Sequence, residues 1–344
     1  MLHTGQLDSL RGNSVSNRTL LARAREVGLE QFLTSEPSDV RKWRPTEGDG
    51  LFFDEVWYAQ RTFARRSLQD CMEALLGVSF LSGGISMALR TGTALRLCFG
   101  GETPWSERYE KVSPTLVPPL FEPLEKELGY KFKSGQLLVE AFTHPSFTSN
   151  NACYQRLEFL GDGKSYLFQT SIKPAYNRTA LIDVVILEYL FKKFPYATSG
   201  QLTWAKSRAV WAPALTTIAV KRLSLQKYLL VSNVELQKAI GQSVEEHSSI
   251  SYEKIVLEGW KYEPPKALSD VAESLCGAML VDSGYNYEEV RLVVERLLEP
   301  LLDVLHPNIP KDPTSELLLS LAKKGCERAK FEFVASLTLT EGSY

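Results

Sequence analysis

The sequence predicts an all-α fold in which one helical unit occurs twice. Two blocks open on the same Gly-Gln-Leu triplet, at Gly5 and at Gly200, and in each block a capped helix is followed by a shorter one. An apolar segment with an Asp-x-x-Glu pair and a glycine follows each block at nearly the same distance, at 67–77 and at 267–277. Blocks that recur in the same order and at similar separation indicate a duplicated, mainly helical domain.

The two units are not equally complete, and this difference sets the predicted domain boundaries. The second unit has about eighty residues before its Gly-Gln-Leu, whereas the first begins almost at Met1, so we expect the first to be truncated on its N-terminal side. The tail carries a helix signal from Asp312 to Gly325 and a strand-like run at 330–334. The predicted boundaries are a first unit in 1–100, a linker rich in proline and charge in 101–120, a second unit in 121–306 and a short α/β remnant in 307–344.

The composition is that of a soluble intracellular protein. The 344 residues are 44% apolar and 23% charged, and five scattered cysteines without a CxxC motif support neither a disulfide framework nor a zinc site. No run approaches the ~20 apolar residues of a membrane span, and the first residues do not form a signal peptide. We therefore expect a protein of the cytoplasm or nucleus without a membrane partner. The net charge of −2 neither requires nor excludes a nucleic-acid partner.

Four carboxylates on otherwise apolar segments are the strongest functional signal. Glu158 and Asp162 are spaced i,i+4, and Asp270 and Glu273 are spaced i,i+3, so each pair lies on one face of a helix. Buried charge is costly unless it is paired, and hard divalent cations such as Mg²⁺ prefer carboxylate oxygens. The pattern therefore predicts a metal site. For any isolated Asp-x-x-Glu pair, the alternative is a solvated charge pair on an amphipathic helix.

These segments also resemble a known family at the level of whole motifs. Residues 156–162, Arg-Leu-Glu-Phe-Leu-Gly-Asp, are similar to the signature of ribonuclease III, and residues 143–146, Thr-His-Pro-Ser, precede it as in that family. Residues 270–277, Asp-Val-Ala-Glu-Ser-Leu-Cys-Gly, resemble the family's second acidic helix. With two units in tandem, the chain resembles the tandem ribonuclease III region of Dicer-like proteins, and we expect a fungal source.

The resemblance implies a fold, a reaction and a set of metal ligands. The two ribonuclease III domains would pair as a pseudo-dimer within the chain, and the tail would be the start of a double-stranded RNA-binding domain. The implied reaction is Mg²⁺- or Mn²⁺-dependent cleavage of double-stranded RNA by an endoribonuclease, in small-RNA production and RNA silencing. The metal ligands carried over from the family are Glu158, Asp162, Asp270 and Glu273, with Glu273 as the bridging ligand nearest the chemistry.

Three departures from the family pattern limit what the chain is expected to do. Gln155 stands where the family often has an acid. The first unit keeps only Asp70 and Glu73, so these weaker metal candidates are expected near the pseudo-dimer axis without catalysing by themselves. The segment 163–179 interrupts the signature, and its removal restores the family-like run GDALIDVVILEYLF. We interpret this segment as a retained intron, with a loop specific to this protein as the alternative.

These departures leave a second function open, that of a catalytically impaired, truncated remnant that at most binds double-stranded RNA. The pairing surface left exposed by the missing helices predicts self-association. His144 is interpreted as a packing or capping histidine, and Lys266 as an exposed lysine with a phosphate contact as the alternative. Three basic groups are candidate contacts to the RNA backbone, with a solvated face as the alternative for each: 41–44, 65–66 and 192–193.

Overall fold

The computed structural model describes residues 16–33, 65–97, 112–147, 152–161 and 180–325. Several predicted features lie outside these ranges, namely the helix after Gly5, the basic segment 41–44, most of the linker, Asp162 with the segment 163–179, and the strand at 330–334. Within the described ranges there are thirteen α-helices and two isolated β-bridges but no strand. The all-α prediction is confirmed.

The helices fall into two groups along the chain. The first group contains α1 (Asn17–Glu26) and α2 (Arg65–Ala94). The second group contains α3 (Glu122–Leu128), α4 (Gly135–Ala141), α5 (Gln155–Gly161), α6 (Ala180–Lys193), α7 (Ser199–Ala209), α8 (Ala212–Lys221), α9 (Val234–Ser249), α10 (Tyr252–Glu258), α11 (Lys266–Asp282), α12 (Tyr287–Val304) and α13 (Pro313–Lys323). Short 3-10 turns lie at Leu29–Phe32, Pro119–Phe121, Leu225–Lys227 and Gly259–Lys261.

Helix α11 is the centre of the second group, and every residue from Ala267 to Met279 is buried. A helix that is apolar on all sides has to be enclosed by its neighbours. Helices α4, α5, α6, α8 and α12 pack around it. The acidic residues of α11 are therefore held inside the domain, where charge is costly without a partner.

The capped helix predicted at the second Gly-Gln-Leu triplet is α7. Thr198 Oγ1 accepts a hydrogen bond from Gln201 N at 3.3 Å, and Gln201 Oε1 accepts one from Thr198 N at 2.9 Å. This reciprocal capping box satisfies two backbone N–H groups at the helix start and fixes where α7 begins.

Corresponding positions of the predicted repeat have the same backbone conformation. Helix α1 is followed by Gly28, with φ of 68°, and helix α8 by Ser224, with φ of 49°, and each of these residues leads into a 3-10 turn. Gly84 and Gly284, which stand at matching positions after the two repeated acidic segments, have φ of 65° and 72°. The duplication seen in the sequence is therefore visible in the local structure as well.

Helix α2 is broken at Gly83 and Gly84, whose φ and ψ angles are not helical. The two halves fold against each other, because Thr91 Oγ1 donates a hydrogen bond to Ser79 Oγ at 2.7 Å. By length and composition alone, most of α2 is long and apolar enough to cross a membrane, and it is the one such helix in the described residues. By these two criteria alone, the sequence-based expectation that no segment approaches a membrane span is not met, although Gly83 and Gly84 interrupt the helix.

The first group has a small core of its own. Its buried members are Leu20, Ala24, Leu29, Leu68, Met72, Leu95 and Leu97. Another side of α2 stays exposed, with Val78 and Leu81 at 55% and 47% exposure. The two groups touch where the ring of Phe80 meets that of Tyr287 on α12 edge-on, with centroids 6.1 Å apart. Helix α2 therefore carries an exposed apolar surface.

A buried carboxylate fixes the C-terminal end of α11. Asp282 is 2% exposed and accepts hydrogen bonds from Tyr130 OH at 2.9 Å and from the backbone N–H groups of Lys133 and Ser134 at 3.0 and 2.8 Å. The contact ties the turn before α4 to α11. Because three donors bind the buried carboxylate of Asp282, its burial does not leave a polar group without partners, and the contacts stabilise the domain.

A sandwiched arginine holds the segment that leads into α13. The guanidinium of Arg208 lies between the rings of Trp204 and Trp211, 4.7 and 4.3 Å from their centroids. It donates a hydrogen bond to Pro310 O at 3.4 Å and pairs with Asp312 Oδ2 at 3.5 Å. Because the other oxygen of Asp312 caps α13, the start of that helix is attached to α7.

Candidate metal centre

The site lies where α5 crosses α11, and two glycines set the distance between these helices. A Cβ atom on Gly161 would lie 2.2 Å from Glu273 O, and one on Gly277 would lie 2.1 Å from Leu157 O. Both distances are far below van der Waals contact, so the two backbones touch and no larger residue fits at either position. The crossing brings the acidic faces of both helices together.

Three carboxylates converge at this crossing. Glu158 on α5 and Asp270 and Glu273 on α11 each place an oxygen within 4.8 Å of the other two. Asp270 is 4% exposed and Glu273 is fully buried, while the side chain of Glu158 is 14% exposed. The i,i+3 spacing on α11 and the position of Glu158 on α5 therefore bring together three of the four carboxylates that the sequence predicts.

Lys266 is the cation that accompanies these acids. Its Nζ atom lies 2.8 Å from Glu158 Oε1 and 2.8 Å from Asp270 Oδ1. The other oxygen of Asp270, Oδ2, accepts a hydrogen bond from Tyr154 OH at 3.3 Å. Lys266 is more than half exposed, so the cluster has an open side at this residue and a closed side at Tyr154.

The electrostatics of the cluster follow from burial and crowding. Burial, and then the nearby Glu158, raise the pKa of Asp270 to about 7, while Lys266 acts in the opposite direction. Burial acts to lower the pKa of Lys266, but Asp270 and Glu158 raise it above its ordinary value overall. Burial and the same two acids raise the pKa of Tyr154, so its hydroxyl stays protonated and donates.

The donor set fits a hard divalent cation. Three carboxylates against one ammonium leave an excess of negative charge in a largely buried place. Oxygens on opposite sides of a bound Mg²⁺ are about 4 Å apart, which is close to the spacing of this cluster. The set has oxygen ligands only, which suits Mg²⁺ or Mn²⁺ better than zinc. In the part of the chain that the structure describes, this is the one acidic group with such spacing.

Comparison with known proteins decides the family. The model of the ribonuclease III domain matches residues 1–84 and 179–284, together more than half of the chain. The chain belongs to the ribonuclease III family. Two matches within one chain agree with the tandem arrangement expected from the repeat.

The relatives of this family member include Dicer proteins. Protein Dicer of Schizosaccharomyces pombe is 29% identical over 338 residues, which cover 94% of this chain and 23% of that protein. Endoribonuclease Dicer homolog 4 of Oryza sativa subsp. japonica is 34% identical over 260 residues, or 74% and 14% of the two chains. The chain spans less than a quarter of the length of either relative.

The nuclease domain of ribonuclease III from Campylobacter jejuni is 29% identical, and the match covers 52% of this chain and 96% of that one, with a TM-score of 0.37. The predicted resemblance to Dicer-like proteins is confirmed.

One ligand expected from the ribonuclease III signature lies outside the described residues. Asp162 directly follows Gly161, the last residue of α5, and its place in the ligand set stays a prediction. Helix α6, which begins at Ala180, packs against both α5 and α11. The helices on either side of 162–179 are therefore both next to the site.

The first unit of the family repeat presents half a site. Asp70 is exposed and lies 4.0 Å from the guanidinium of Arg66, and burial followed by the charge of Asp70 raises the pKa of Glu73. Gly77 corresponds to Gly277 in the repeat, but a Cβ there would have nothing within 4 Å. No described helix crosses α2 as α5 crosses α11, and among the described residues no second acidic pair joins these two acids.

The other residues singled out in the sequence lie in ordinary contacts. His144 accepts a hydrogen bond through Nδ1 from Ser146 N at 3.0 Å and packs edge-on against Tyr154, as a packing and capping histidine does. Lys192 pairs with Glu188 at 2.6 Å, and Lys193 donates to Leu302 O at 3.1 Å. Both lysines thus have protein partners in this structure.

Four residues contribute to the site in ways that the sequence did not reveal. Lys266 is exposed as expected, but its ion pairs to two carboxylates of the cluster were not foreseen, although its i,i+4 spacing from Asp270 was a signal. Tyr154 carried no signal beyond its position just before the signature. The two glycines stand inside the quoted motifs, yet only the crossing of the helices shows what they do.

Proposed function

We propose that this chain is a Mg²⁺- or Mn²⁺-dependent endoribonuclease of the ribonuclease III type that cleaves double-stranded RNA in small-RNA production. The observation that supports the proposal is the cluster of Glu158, Asp270 and Glu273, held by helices in backbone contact. Its oxygen donors and excess negative charge match the cation that phosphodiester hydrolysis uses. Family membership supports the same reaction class.

Each side chain of the cluster has a distinct part in this proposal. A divalent cation held by Glu158, Asp270 and Glu273 would neutralise charge on the scissile phosphate and lower the pKa of a water. The two acids on α11 are buried and have little freedom to turn away. Lys266, at the exposed side, would contact a phosphate oxygen of the RNA.

Recognition of the substrate fits a surface site without a deep pocket. Double-stranded RNA is bound mainly through its shape, phosphates and 2′-hydroxyls, because its major groove is too narrow for side chains. The open side of the cluster at Lys266 would face the backbone of one strand. With one cluster, a bound duplex would be cut in one strand at a time.

A second candidate is a catalytically impaired remnant that at most binds double-stranded RNA. The observation that favours it is the open face at Gly77, since no described helix completes the first unit there. Asp162 and the segment 163–179 directly follow α5, so the signature is interrupted beside the cluster.

Cleavage of a labelled RNA duplex separates the two candidates. Each strand is labelled in turn, and products are compared on denaturing and native gels with Mg²⁺ and with EDTA. The first candidate predicts shortened strands on the denaturing gel and an intact, nicked duplex on the native gel. Asp270→Asn and Glu273→Gln should abolish cleavage, and Asp70→Asn is the matched control in the first unit, with activity kept.

The outcomes are distinct. Absence of cleavage by folded wild-type protein that still retains the duplex on a native gel would favour the remnant. Cleavage that survives Asp270→Asn, or that persists in EDTA, would refute the proposed site. A loss of cleavage with Asp70→Asn equal to that with Asp270→Asn would show that the first unit takes part in the chemistry.

A further inference from the structure

We propose that Tyr154 is a positioning residue of the metal centre, which orients the carboxylate of Asp270 and ties the start of α5 to α11. The inference rests on the proposed function, because it concerns how the same cluster is prepared for its cation. Residues that hydrogen-bond to metal ligands commonly fix ligand orientation and contribute to metal affinity.

The side-chain contact sets the orientation of Asp270. Oδ2 accepts the hydrogen bond from Tyr154 OH at 3.3 Å, and Oδ1 lies 2.8 Å from Lys266 Nζ. The same ammonium lies 2.8 Å from Glu158 Oε1. Oδ1 is therefore the oxygen of Asp270 on the side of the ammonium shared with Glu158, and the Tyr154 hydroxyl on Oδ2 opposes a rotation of the carboxylate out of this plane.

The backbone of Tyr154 positions the other helix. Its carbonyl oxygen accepts a hydrogen bond from Glu158 N at 2.7 Å, which forms the first turn of α5. Its own N–H donates to Thr143 O at 2.9 Å. One residue thus contacts Glu158 through the main chain and Asp270 through the side chain, so it links ligands on both helices.

The ring of Tyr154 has little room to move. It is 3% exposed, and the ring of His144 packs edge-on against it with centroids 5.6 Å apart. His144 is itself held by the N–H of Ser146. A phenylalanine would fill the same space without the hydroxyl, so the hydrogen bond can be removed while the packing is kept.

The far end of α11 supplies a matched control. Tyr130 also donates its hydroxyl to a buried aspartate, Asp282, at 2.9 Å. Both tyrosines are nearly fully buried and both aspartates belong to α11, but Tyr130 and Asp282 lie outside the acidic cluster. Loss of this second hydroxyl affects stability without touching a predicted metal ligand.

Direct measurement of Mn²⁺ binding to the full chain without RNA tests the inference. The dissociation constant is obtained from the free Mn²⁺ signal in electron paramagnetic resonance. Tyr154→Phe should weaken binding roughly 10-fold, as is usual for the loss of a group that supports a ligand. Tyr130→Phe should stay within about 2-fold of wild type, because its hydrogen bond is remote from the ligands. In RNA cleavage, Tyr154→Phe should need more Mn²⁺ for half-maximal rate but recover the wild-type rate at saturation.

Two further variants show whether the effect passes through Asp270. In an Asp270→Asn background, Tyr154→Phe should have no added effect on the residual Mn²⁺ affinity, since the ligand is already lost. His144→Ala loosens the ring and keeps the hydroxyl, and it should weaken Mn²⁺ binding in the same direction by a smaller factor. This variant keeps the inference testable if Tyr154→Phe does not fold.

The results that overturn the inference differ from those that overturn the proposed function. Tyr154→Phe that binds Mn²⁺ as tightly as wild type overturns the inference alone. Equal weakening by Tyr154→Phe and Tyr130→Phe also overturns it, because the cause is then a general loosening of the domain. Wild-type protein that binds no Mn²⁺ overturns the proposed metal site, and the inference with it.

Discussion

Replacement of Gly277 by alanine tests the contact that brings the acids together. The added Cβ would lie 2.1 Å from Leu157 O, so α5 and α11 have to separate by about 1 Å to reach an ordinary contact distance. Overpacking typically costs about 1–3 kcal/mol, and the obstacle here is backbone, which cannot rotate away. A rigid obstacle calls for the upper end of this range, about 3 kcal/mol. Alanine gains about 1 kcal/mol over glycine as a helix former, so the expected net loss of stability is about 2 kcal/mol.

Gly77 provides the control within the same chain. It stands at the matching position of the repeat, but a Cβ there meets nothing within 4 Å. Gly77→Ala should therefore show only the gain in helix propensity, a stabilisation of up to about 1 kcal/mol. The same substitution thus has opposite expected signs in the two units.

Hydrogen exchange read by mass spectrometry suits this comparison, because peptides from α2 and α11 report on the two units separately. Urea denaturation gives the overall change. Mn²⁺ binding by Gly277→Ala should also weaken, since the separated helices hold Glu158 further from Glu273. The backbone contact would be refuted as the basis of the site if α11 of Gly277→Ala were as well protected from hydrogen exchange as in wild type. An equal loss of protection from hydrogen exchange in α2 of Gly77→Ala would refute it as well.

Four further outcomes are expected. In metal-free protein, burial and the nearby Glu158 raise the pKa of Asp270 to about 7. Between about pH 4 and pH 7 the folded state therefore binds more protons than the unfolded state, and the free energy of unfolding falls as the pH rises through this range. Asp270→Asn should remove this slope and stabilise the metal-free protein at pH 7.5 by up to about 4 kcal/mol in urea titrations, and a steeper slope in the variant would contradict the assignment. Lys266→Gln removes the cation that lowers the pKa of Asp270, so the pH range over which the free energy of unfolding falls should move towards higher pH. The metal-free protein should lose about 1 kcal/mol of stability, a small amount because the lysine is more than half exposed. Asp282→Ala removes the acceptor of three donors, of which Tyr130 OH and the Ser134 N–H are buried, and should cost about 3 kcal/mol in urea denaturation. A neutral result would count against the network. Val78→Lys with Leu81→Glu should lower self-association in sedimentation velocity, and unchanged sedimentation would place the contact elsewhere.

Features that depend on local spacing could be predicted from the sequence. The i,i+3 pair on α11 and the capped start of α7 need only helix geometry and capping rules, and both are found where the pattern indicates. The repeat was also readable, because its blocks recur in the same order, and the family model matches both parts of the chain. Gly77 and Gly277 stand at matching positions of this repeat, but only a Cβ on Gly277 would meet another helix.

Features that depend on contacts between distant segments could not be predicted. The sequence places Lys266 one turn before Asp270, but its second ion pair, to Glu158, exists only because α5 crosses α11. The hydroxyl of Tyr154 reaches Asp270 for the same reason. The break of α2 at Gly83 and Gly84, where its two halves turn towards each other, could not be predicted either, because the sequence of this segment is apolar on both sides of the two glycines.

The arginine held between two tryptophans has a mechanical consequence. Helix α13 has 11 residues, about 16 Å of rigid length, and its first turn is attached to the nuclease domain through Asp312 and Arg208. None of its residues is buried, so packing contributes little to the position of this helix, and the attachment at its first turn matters more. Because of this attachment, α13 does not begin as a free tether. Loss of the guanidinium at Arg208 would therefore release the start of α13 and leave the acidic cluster, to which neither Arg208 nor Asp312 belongs, in place.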